Sequence, residues 1–151
     1  MTPRELCLDA NIFVASWSPE EPAQESCWKL LKYIERHNVP LFEPAVALFE
    51  VTSVIHRKIY LNQISREDGQ RILDLFLELP LLLLWQPKIL RASEKMATDL
   101  SWKRVNDCSY LAVASDRDIP LVTLDDQLLK TGQRFLRQIV TPDVALELVV
   151  K

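Results

Sequence analysis

Short apolar segments alternate with longer segments of helical periodicity along nearly the whole chain of 151 residues. The apolar segments are predicted to be strands, at residues 5–8, 39–44, 77–87, 119–125 and 137–141. Strands separated by helices pair in parallel, because a helical crossover returns the chain in the same direction. The pattern therefore predicts an α/β fold, a three-layer α/β/α sandwich with a central, mostly parallel sheet, formed as a single domain over residues 1–151.

Residues that cap helices mark two of the predicted helix starts. Ser18 and Glu21 can form a capping box for a helix over residues 18–37, and Ser65 with Asp68 can do the same for a helix over 65–79. Periodicity predicts the other helices at residues 11–17, 45–60, 87–100, 105–116 and 126–132, and from residue 141 onward. The apolar window 77–87 is predicted to be a buried strand.

The composition excludes several classes of function. With 2 Gly against 9 Pro, the chain lacks the Gly-rich loops that bind phosphates. Three scattered cysteines argue against a disulfide framework or a zinc site and favour a reducing, cytoplasmic compartment. The most apolar window is far shorter than the roughly 20 residues of a membrane span, so we expect no membrane partner. A net charge of −3 gives no global attraction to nucleic acid.

Two carboxylates directly follow predicted strands. Asp9 ends the first strand and Asp125 ends the fourth, which places both at the carboxyl edge of a parallel sheet, where ligands bind. Asp9 has apolar neighbours on both sides, and an ionised carboxylate there loses hydration worth several kcal/mol unless something compensates. Either aspartate alone is ambiguous, since aspartate is also common in loops and helix caps.

Two further acids lie on apolar helix faces. Glu50 lies one turn before Val54, and Asp107 lies one turn before Leu111. Glu50 could instead be a boundary residue paired with Arg57, two turns later. Asp107 could be a simple helix-start acid that the helix dipole stabilises by about 0.3–1 kcal/mol. Both alternatives stay open for the single residues.

Taken together, the four acids favour a metal site. Carboxylates that converge on one sheet edge repel and raise each other's pKa unless a cation lies among them. Mg²⁺ and Mn²⁺ prefer oxygen ligands, and such ions suit phosphodiester hydrolysis. His37 and His56 are the only histidines, and no Ser–His or Cys–His arrangement competes.

Three segments carry a family resemblance: "LDANIFVA" at residues 8–15, "FEVTSVI" at 49–55, and "NDCSYLAVA" at 106–114 followed by "IPLVTLDDQLL" at 119–129. In this order they resemble the motifs of the PIN-domain family, and especially its VapC-like toxin branch. The resemblance implies a PIN-like fold that cleaves RNA with Mg²⁺ or Mn²⁺. It implies a set of catalytic, metal-binding acids with two polar supports: Asp9, Glu50, Asp107 and Asp125, supported by Asn11 and Thr123.

The doubled acid in "TLDDQL" leaves a choice for the fourth carboxylate. Asp126 could replace Asp125 or join it as an outer ligand. We rank Asp125 first because Thr123 lies two residues before it. In an extended stretch, that spacing puts both side chains on the same side, and the same argument applies to Asp9 and Asn11.

The resemblance also implies a biological role and partners. It implies a metal-dependent endoribonuclease that hydrolyses RNA phosphodiester bonds as the toxin of a type II toxin–antitoxin pair, with a small antitoxin partner and a possible homodimer. Lys103 and Arg104 lead into the helix of Asp107 and could hold RNA phosphates, or form an ordinary solvated face. The apolar helix face at residues 72–79 could be a dimer face, although such a stripe is more often core. A noncatalytic PIN-like module that binds RNA or protein and a housekeeping RNA-processing nuclease remain open alternatives.

Overall fold

The computed structural model describes residues 4–151, which form five parallel strands among eight α-helices. The strands are β1 (Cys7–Leu8), β2 (Leu41–Pro44), β3 (Leu81–Leu84), β4 (Leu121–Val122) and β5 (Ile139–Val140). β4 pairs with both β1 and β5, and β2 pairs with β3. A parallel bridge between Leu6 and Leu41 joins the two sets, so the strand order is β3-β2-β1-β4-β5.

Two layers of helices flank the strands. The helices are α1 (Ala10–Ser16), α2 (Gln24–His37), α3 (Ala47–Tyr60), α4 (Arg66–Leu77), α5 (Pro87–Leu100), α6 (Asn106–Arg117), α7 (Asp126–Thr131) and α8 (Pro142–Val150). α1 packs on α2 and α3, α3 on α4, and α2 on α8. α5 packs on α6, and α6 lies against β1, β2 and β4. This arrangement confirms the predicted α/β/α architecture.

The strand order reverses between β1 and β4. The chain moves outward from β1 to β2 and β3, and then crosses back to β4 on the other side of β1. Because crossovers between parallel strands are right-handed, the helices before β3 and the helices α5 and α6, which connect β3 to β4, lie on opposite faces. α8 follows the last strand and packs on α2. Ligands of such sheets bind at the carboxyl ends of the strands where the order reverses. The ends of β1 and β4 are therefore where a site is expected.

The first capping box was predicted at the wrong place. α2 begins at Gln24 rather than near Ser18. Ser18 is buried, and its hydroxyl donates to the carbonyl of Val14 at 2.7 Å, so it closes the end of α1 instead of capping α2. Glu21 pairs with Lys58. A serine can bond backward as readily as it can cap forward, and the sequence pattern does not distinguish the two.

The predicted buried strand at residues 77–87 is shorter and more exposed than expected. It forms β3 only over Leu81–Leu84, at the edge of the sheet, and Leu82 is 47% exposed. The predicted start of α4 is confirmed, since Ser65 Oγ accepts from the N–H of Asp68 at 3.0 Å. None of the helices formed by residues 4–151 is long and apolar enough to cross a membrane. All three cysteines are buried and free.

Candidate active site

A buried pair of side chains joins the carboxyl ends of β1 and β4. Asp9 follows β1, and its N–H donates to the carbonyl of Val122 at 2.9 Å, which extends the β1–β4 pairing by one residue. Thr123 follows β4, and its Oγ1 donates to Oδ2 of Asp9 at 2.8 Å. Asp9 is only 5% exposed and Thr123 is fully buried. The backbone ladder therefore holds the Asp9 carboxylate in place, and Thr123 orients it.

Asp125 is linked to the same pair. Its N–H donates to Oγ1 of Thr123 at 3.0 Å. Its own Oδ1 caps α7 by accepting from the N–H groups of Gln127 and Leu128, at 2.8 and 3.2 Å. Capping occupies one carboxylate oxygen and leaves Oδ2 available to a ligand. The neighbouring acid, Asp126, lies in the first turn of α7 and is exposed.

The other two predicted acids reach the site from two helices. Glu50 lies in the first turn of α3 and Asp107 in the first turn of α6. Both side chains are half-buried. Oε1 of Glu50 is buried and has no hydrogen-bond partner within residues 4–151. The alternative pairing with Arg57 is not seen within residues 4–151, where Arg57 is exposed and Oε1 of Glu50 has no partner.

The pKa values show that these acids share one environment. Burial raises the pKa of Asp9 to about 6; the hydrogen bond from Thr123 opposes this rise, and the charges of Asp107 and Asp125 add to it. Burial also raises the pKa of Glu50 to about 7, and the charges of Asp9 and Asp107 contribute. Desolvation and like charges both disfavour ionised carboxylates. Asp9 and Asp107 therefore lie within electrostatic range of each other, and each lies within range of Asp125 and Glu50.

The donor set fits a hard divalent cation that keeps part of its water shell. Within residues 4–151, no three Asp, Glu, His or Cys side chains are already arranged around one ion position. The available donors are nevertheless all oxygen atoms, and the buried Oε1 of Glu50 has no hydrogen-bond partner within residues 4–151. Mg²⁺ usually keeps several waters and takes only one or two carboxylates directly. The residues therefore suit such an ion better than a fully dehydrated one.

Asn11 does not lie in the extended stretch that the sequence predicted for it. It lies in the first turn of α1, so its two-residue spacing from Asp9 is not that of an extended strand. Asn11 is exposed and lines a cavity of about 220 Å³ together with Asp125 and Lys58. The ammonium group of Lys58 is occupied by Glu20 and Glu21. Asn11 therefore borders the site, and its supporting role stays a prediction.

The two basic residues predicted to hold RNA phosphates lie in the loop between α5 and α6. Lys103 and Arg104 are both exposed. Burial and the charge of Asp125 raise the pKa of Asp107, and the charge of Arg104 opposes this rise, so Arg104 lies within electrostatic range of the acids. Trp102 is half-buried against the core. Contact of this loop with RNA stays a prediction.

Sequence reasoning did not identify a further carboxylate beside the cluster. Glu43 in β2 is fully buried; its Oε1 accepts from the N–H of Leu8 at 2.7 Å, and the Cys7 thiol donates to Oε2 at 3.7 Å. Pro44 follows it and has no N–H to donate to β1, so the β1–β2 ladder does not continue beyond this point, and the Glu43 carboxylate accepts from the N–H of Leu8 in place of a backbone carbonyl. Burial raises the pKa of Glu43 well above its usual range. The sequence did contain one indication of this role, because Glu43 is an acidic residue inside the strand predicted at residues 39–44.

Known proteins share this fold. The chain matches the crystal structure of PAE2754 from Pyrobaculum aerophilum with a TM-score of 0.71 and 18% identity, over 98% of this chain and 91% of that one. It matches VapBC2 from Rickettsia felis, bound to a DNA fragment from its promoter, with a TM-score of 0.62 and 19% identity, over 89% and 96%. It matches VapC20 from Mycobacterium tuberculosis with a TM-score of 0.63 and 11% identity, over 85% of this chain and 95% of that one.

These TM-scores show a shared fold, and they confirm the resemblance to VapC-like proteins at the level of the fold. No curated protein sequence matches the chain. The family model described as the PIN domain matches residues 6–133, which include every predicted acid of the site. On that match, over most of its length, the chain belongs to the PIN domain family.

Proposed function

We propose that this protein is a metal-dependent endoribonuclease that hydrolyses RNA phosphodiester bonds with Mg²⁺ or Mn²⁺. The observation that carries the proposal is the acid cluster at the point where the strand order reverses. Its members come from separate elements, and their charges help to raise the pKa values of Asp9, Glu50 and Asp107. Acids with strongly perturbed pKa values at a ligand-binding edge are candidates for function, because a purely structural role gives no reason to gather them.

The proposed roles follow from the contacts. Asp9, Glu50, Asp107 and Asp125 would hold the cation and act as the catalytic acids. When bound, a divalent cation lowers the pKa of water and neutralises charge that develops on the phosphate. The protein supplies oxygen ligands whose mutual repulsion the cation relieves, and Thr123 keeps Asp9 oriented while the ligand is exchanged.

The RNA itself would be held by local positive charge. Arg104 is close enough to the cluster to affect Asp107, and Lys103 precedes it in the same exposed loop. We propose that this pair contacts phosphates that flank the cleaved bond. With a net charge of −3, the protein is expected to bind RNA weakly outside this region, so single-stranded loops are the proposed targets.

We further propose that the protein is the toxin of a type II toxin–antitoxin pair, is cytoplasmic, and is covered by a small antitoxin. Support comes from proteins of the same fold: VapC20 is a Sarcin-Ricin loop cleaving toxin. Another is a toxin–antitoxin complex from Klebsiella pneumoniae, with a TM-score of 0.59 and 16% identity, over 91% of this chain and 98% of that one. A homodimer belongs to the same proposal.

The direct test compares Asp107, in the first turn of α6, with Asp118, which directly follows α6. Asp107→Asn should lower Mn²⁺-dependent cleavage of a long single-stranded transcript at least 100-fold, because it removes a charged ligand. Asp118→Asn is the matched control, since Asp118 is exposed at the end of α6 with a φ of 52° that asparagine tolerates. A chelator should stop cleavage, and added Mn²⁺ should restore it. Full cleavage by Asp107→Asn would contradict the mechanism.

A second candidate function is a noncatalytic PIN-like binding module. The absence of a preformed three-ligand arrangement within residues 4–151 favours it. Calorimetric titration with Mn²⁺ separates the two candidates, because an idle pocket should give no saturable heat. A protein that binds RNA, shows no Mn²⁺ site and leaves the transcript intact would support the module.

The toxin role is separated from a housekeeping nuclease by growth. Expression of the wild-type chain in a bacterial host should arrest growth, and Asp107→Asn should relieve the arrest. Co-expression of the cognate antitoxin should also relieve the arrest. A nuclease that cleaves RNA in vitro and leaves growth unchanged would indicate the housekeeping role.

A further inference from the structure

A cavity of about 220 Å³ lies beside the acid cluster, between α1, α3 and the segment that joins β4 to α7. Asp125 lines it, so the cavity adjoins the proposed metal site. On α3, Val54 lines the cavity one turn after Glu50. The volume is below the roughly 300–1,000 Å³ of pockets that hold drug-sized ligands, so the cavity fits one small ring system.

The apolar side chains that line the cavity come from three elements: Val14 and Ala15 in α1, Val54 in α3, and Leu124 after β4. Apolar walls that carry a few convergent polar groups are typical of pockets for small ligands. Such walls favour a ligand with a flat apolar face, because a strongly hydrated group loses its water there.

The polar part of the lining includes an ion pair. Glu21 and Lys58 both line the cavity, and Oε1 of Glu21 contacts Nζ of Lys58. Lys58 also pairs with Glu20 at 3.1 Å, and its side chain is only 9% exposed. Lysine is rarely buried, and a buried ion pair contributes little net stability because desolvation offsets the attraction. The stability of the fold therefore gives little reason to bury Lys58 beside a cavity.

The charges around the cavity determine which ligands it suits. Lys58 brings one positive charge, while Glu21 and Asp125 line the same cavity and Glu20 pairs with Lys58. The excess of negative charge disfavours a phosphate, and the ammonium group disfavours a cation placed against it. A neutral ring with a polar edge satisfies both conditions. Unpaired RNA bases have this chemistry, since proteins stack their faces and hydrogen-bond their edges.

The ion pair also presents a specific set of donors and acceptors. Lys58 has three donors, of which Glu20 and Glu21 take two, so one N–H remains. Lys58 contacts Oε1 of Glu21, which leaves Oε2 as a further acceptor. Guanine offers two adjacent N–H donors and a carbonyl oxygen on one edge, which match a carboxylate beside an ammonium group. The other three bases offer fewer matching groups on one edge.

We propose that this cavity binds one unpaired RNA base, with a preference for guanine, from a nucleotide next to the cleaved bond. Glu21 and Lys58 are its specificity-determining residues. The proposal rests on the proposed function, because the cavity shares Asp125 with the proposed metal site. Well-matched contacts to a base edge change the preference between bases by about tenfold or more.

The first test measures binding of the four ribonucleosides in chelator by saturation-transfer NMR, since nucleosides carry no phosphate and chelator removes the metal. Guanosine should bind saturably and about tenfold more tightly than adenosine. Glu21→Gln replaces an acceptor by a donor and should abolish this preference, while Lys58 keeps Glu20 as a partner. Val54→Phe fills the cavity and should abolish nucleoside binding.

The second test maps the cleavage sites in a long single-stranded transcript with Mn²⁺. Wild type should cut with guanine enriched at one fixed position beside the cleaved bond, and Glu21→Gln should cut without this enrichment. Glu25→Gln is the matched control. Glu25 lies in the first turn of α2 and pairs with Lys29 at 3.0 Å, so the variant loses a carboxylate of an exposed ion pair outside the cavity lining. It should keep the guanosine preference and the cleavage pattern.

The outcomes separate this proposal from the nuclease proposal. If wild type cleaves RNA without a guanine preference, or Glu21→Gln retains the preference, the base pocket is overturned and the nuclease proposal stands. If wild type binds guanosine in this way and cuts no RNA, the pocket is supported and the nuclease proposal is wrong. Saturable binding of arginine methyl ester and of no nucleoside would assign the cavity to a basic side chain of a protein partner and overturn the base pocket.

Discussion

The Thr123 hydroxyl donates to the Asp9 carboxylate between the two central strands, with 2.8 Å between Oγ1 and Oδ2. The same oxygen accepts from the N–H of Asp125 at 3.0 Å. One side chain therefore ties together the two acids at the ends of β1 and β4. The pKa of Asp9 is lower than burial alone would make it, because this hydrogen bond favours the ionised form.

Thr123→Val tests this relationship, since valine has nearly the same shape and no hydroxyl. Two buried or half-buried groups would lose a partner, so the free energy of unfolding should fall by about 1–3 kcal/mol. Mn²⁺ affinity should fall by about tenfold or more, because Asp9 would lose its orientation. Thr123→Ser should retain both properties. Urea unfolding and calorimetry measure them, and wild-type Mn²⁺ affinity in Thr123→Val would contradict the role given to the hydroxyl.

The metal-free protein is expected to lose stability as the pH rises from about 4 to about 7. The pKa of Asp9 is raised from 3.8 to about 6, and that of Glu50 from 4.5 to about 7. In this window the folded state binds protons that the unfolded chain has released, so the free energy of unfolding decreases with pH. Below about pH 4 these carboxyl groups are protonated in both the folded and the unfolded state, so the free energy of unfolding no longer depends on their titration. Urea unfolding in chelator at pH 5, 6 and 7.5 measures the slope.

Two comparisons isolate the source of that slope. The double variant Asp9→Asn, Glu50→Gln should unfold with a smaller pH dependence than wild type, because two of the titrating groups are gone. Added Mn²⁺ should stabilise wild type most at pH 7.5, where the acids are ionised and a ligand specific to the folded state raises its stability. If the free energy of unfolding instead increased from pH 5 to 7.5 in chelator, Asp9 and Glu50 would not be the groups that determine its pH dependence.

The buried carboxyl group of Glu43 makes a prediction about stability rather than metal binding. Glu43→Leu should lower the free energy of unfolding by about 1–3 kcal/mol, because the buried N–H of Leu8 loses its acceptor. Glu43→Gln keeps an acceptor of the same size and should cost less. Urea unfolding at pH 6 compares the variants, and equal stability of the two would mean that the bond to Leu8 contributes little.

The position of the candidate site in the fold was largely predictable, because strand ends can be read from short apolar segments. Asp9 and Asp125 each follow such a segment, and parallel pairing brings the ends of strands to one edge whatever the order of the strands. Asp107 was predictable from helical spacing, because Leu111 one turn later is fully buried. These inferences need only local periodicity and one topological rule.

Glu43 and the start of α2 required information that local patterns do not contain. The role of Glu43 depends on which strand neighbours β2 and on the backbone N–H of Leu8, which donates to its carboxylate. Ser18 could bond forward or backward, and the choice was decided by its burial against α1 and by the ion pair between Glu21 and Lys58. Such outcomes are set by tertiary contacts between distant segments.

The doubled acid at the end of β4 can be resolved by exchanging one carboxylate at a time. Asp125→Asn should keep α7 capped, because asparagine is as good a cap as aspartate, but it removes a charge that acts on Asp9 and Asp107. Mn²⁺ affinity should therefore fall about tenfold, while the melting temperature in chelator stays within a few degrees of wild type.

Asp126→Asn is the matched control, one residue later and exposed in the first turn of α7. The charge of Asp126 is not among the causes that raise the pKa of Asp9 or Asp107, so Mn²⁺ affinity and cleavage should stay close to wild type. Calorimetry and transcript cleavage on the same preparations decide the assignment. If Asp126→Asn loses Mn²⁺ and Asp125→Asn keeps it, the fourth ligand is Asp126, and Asp125 serves only to begin the helix.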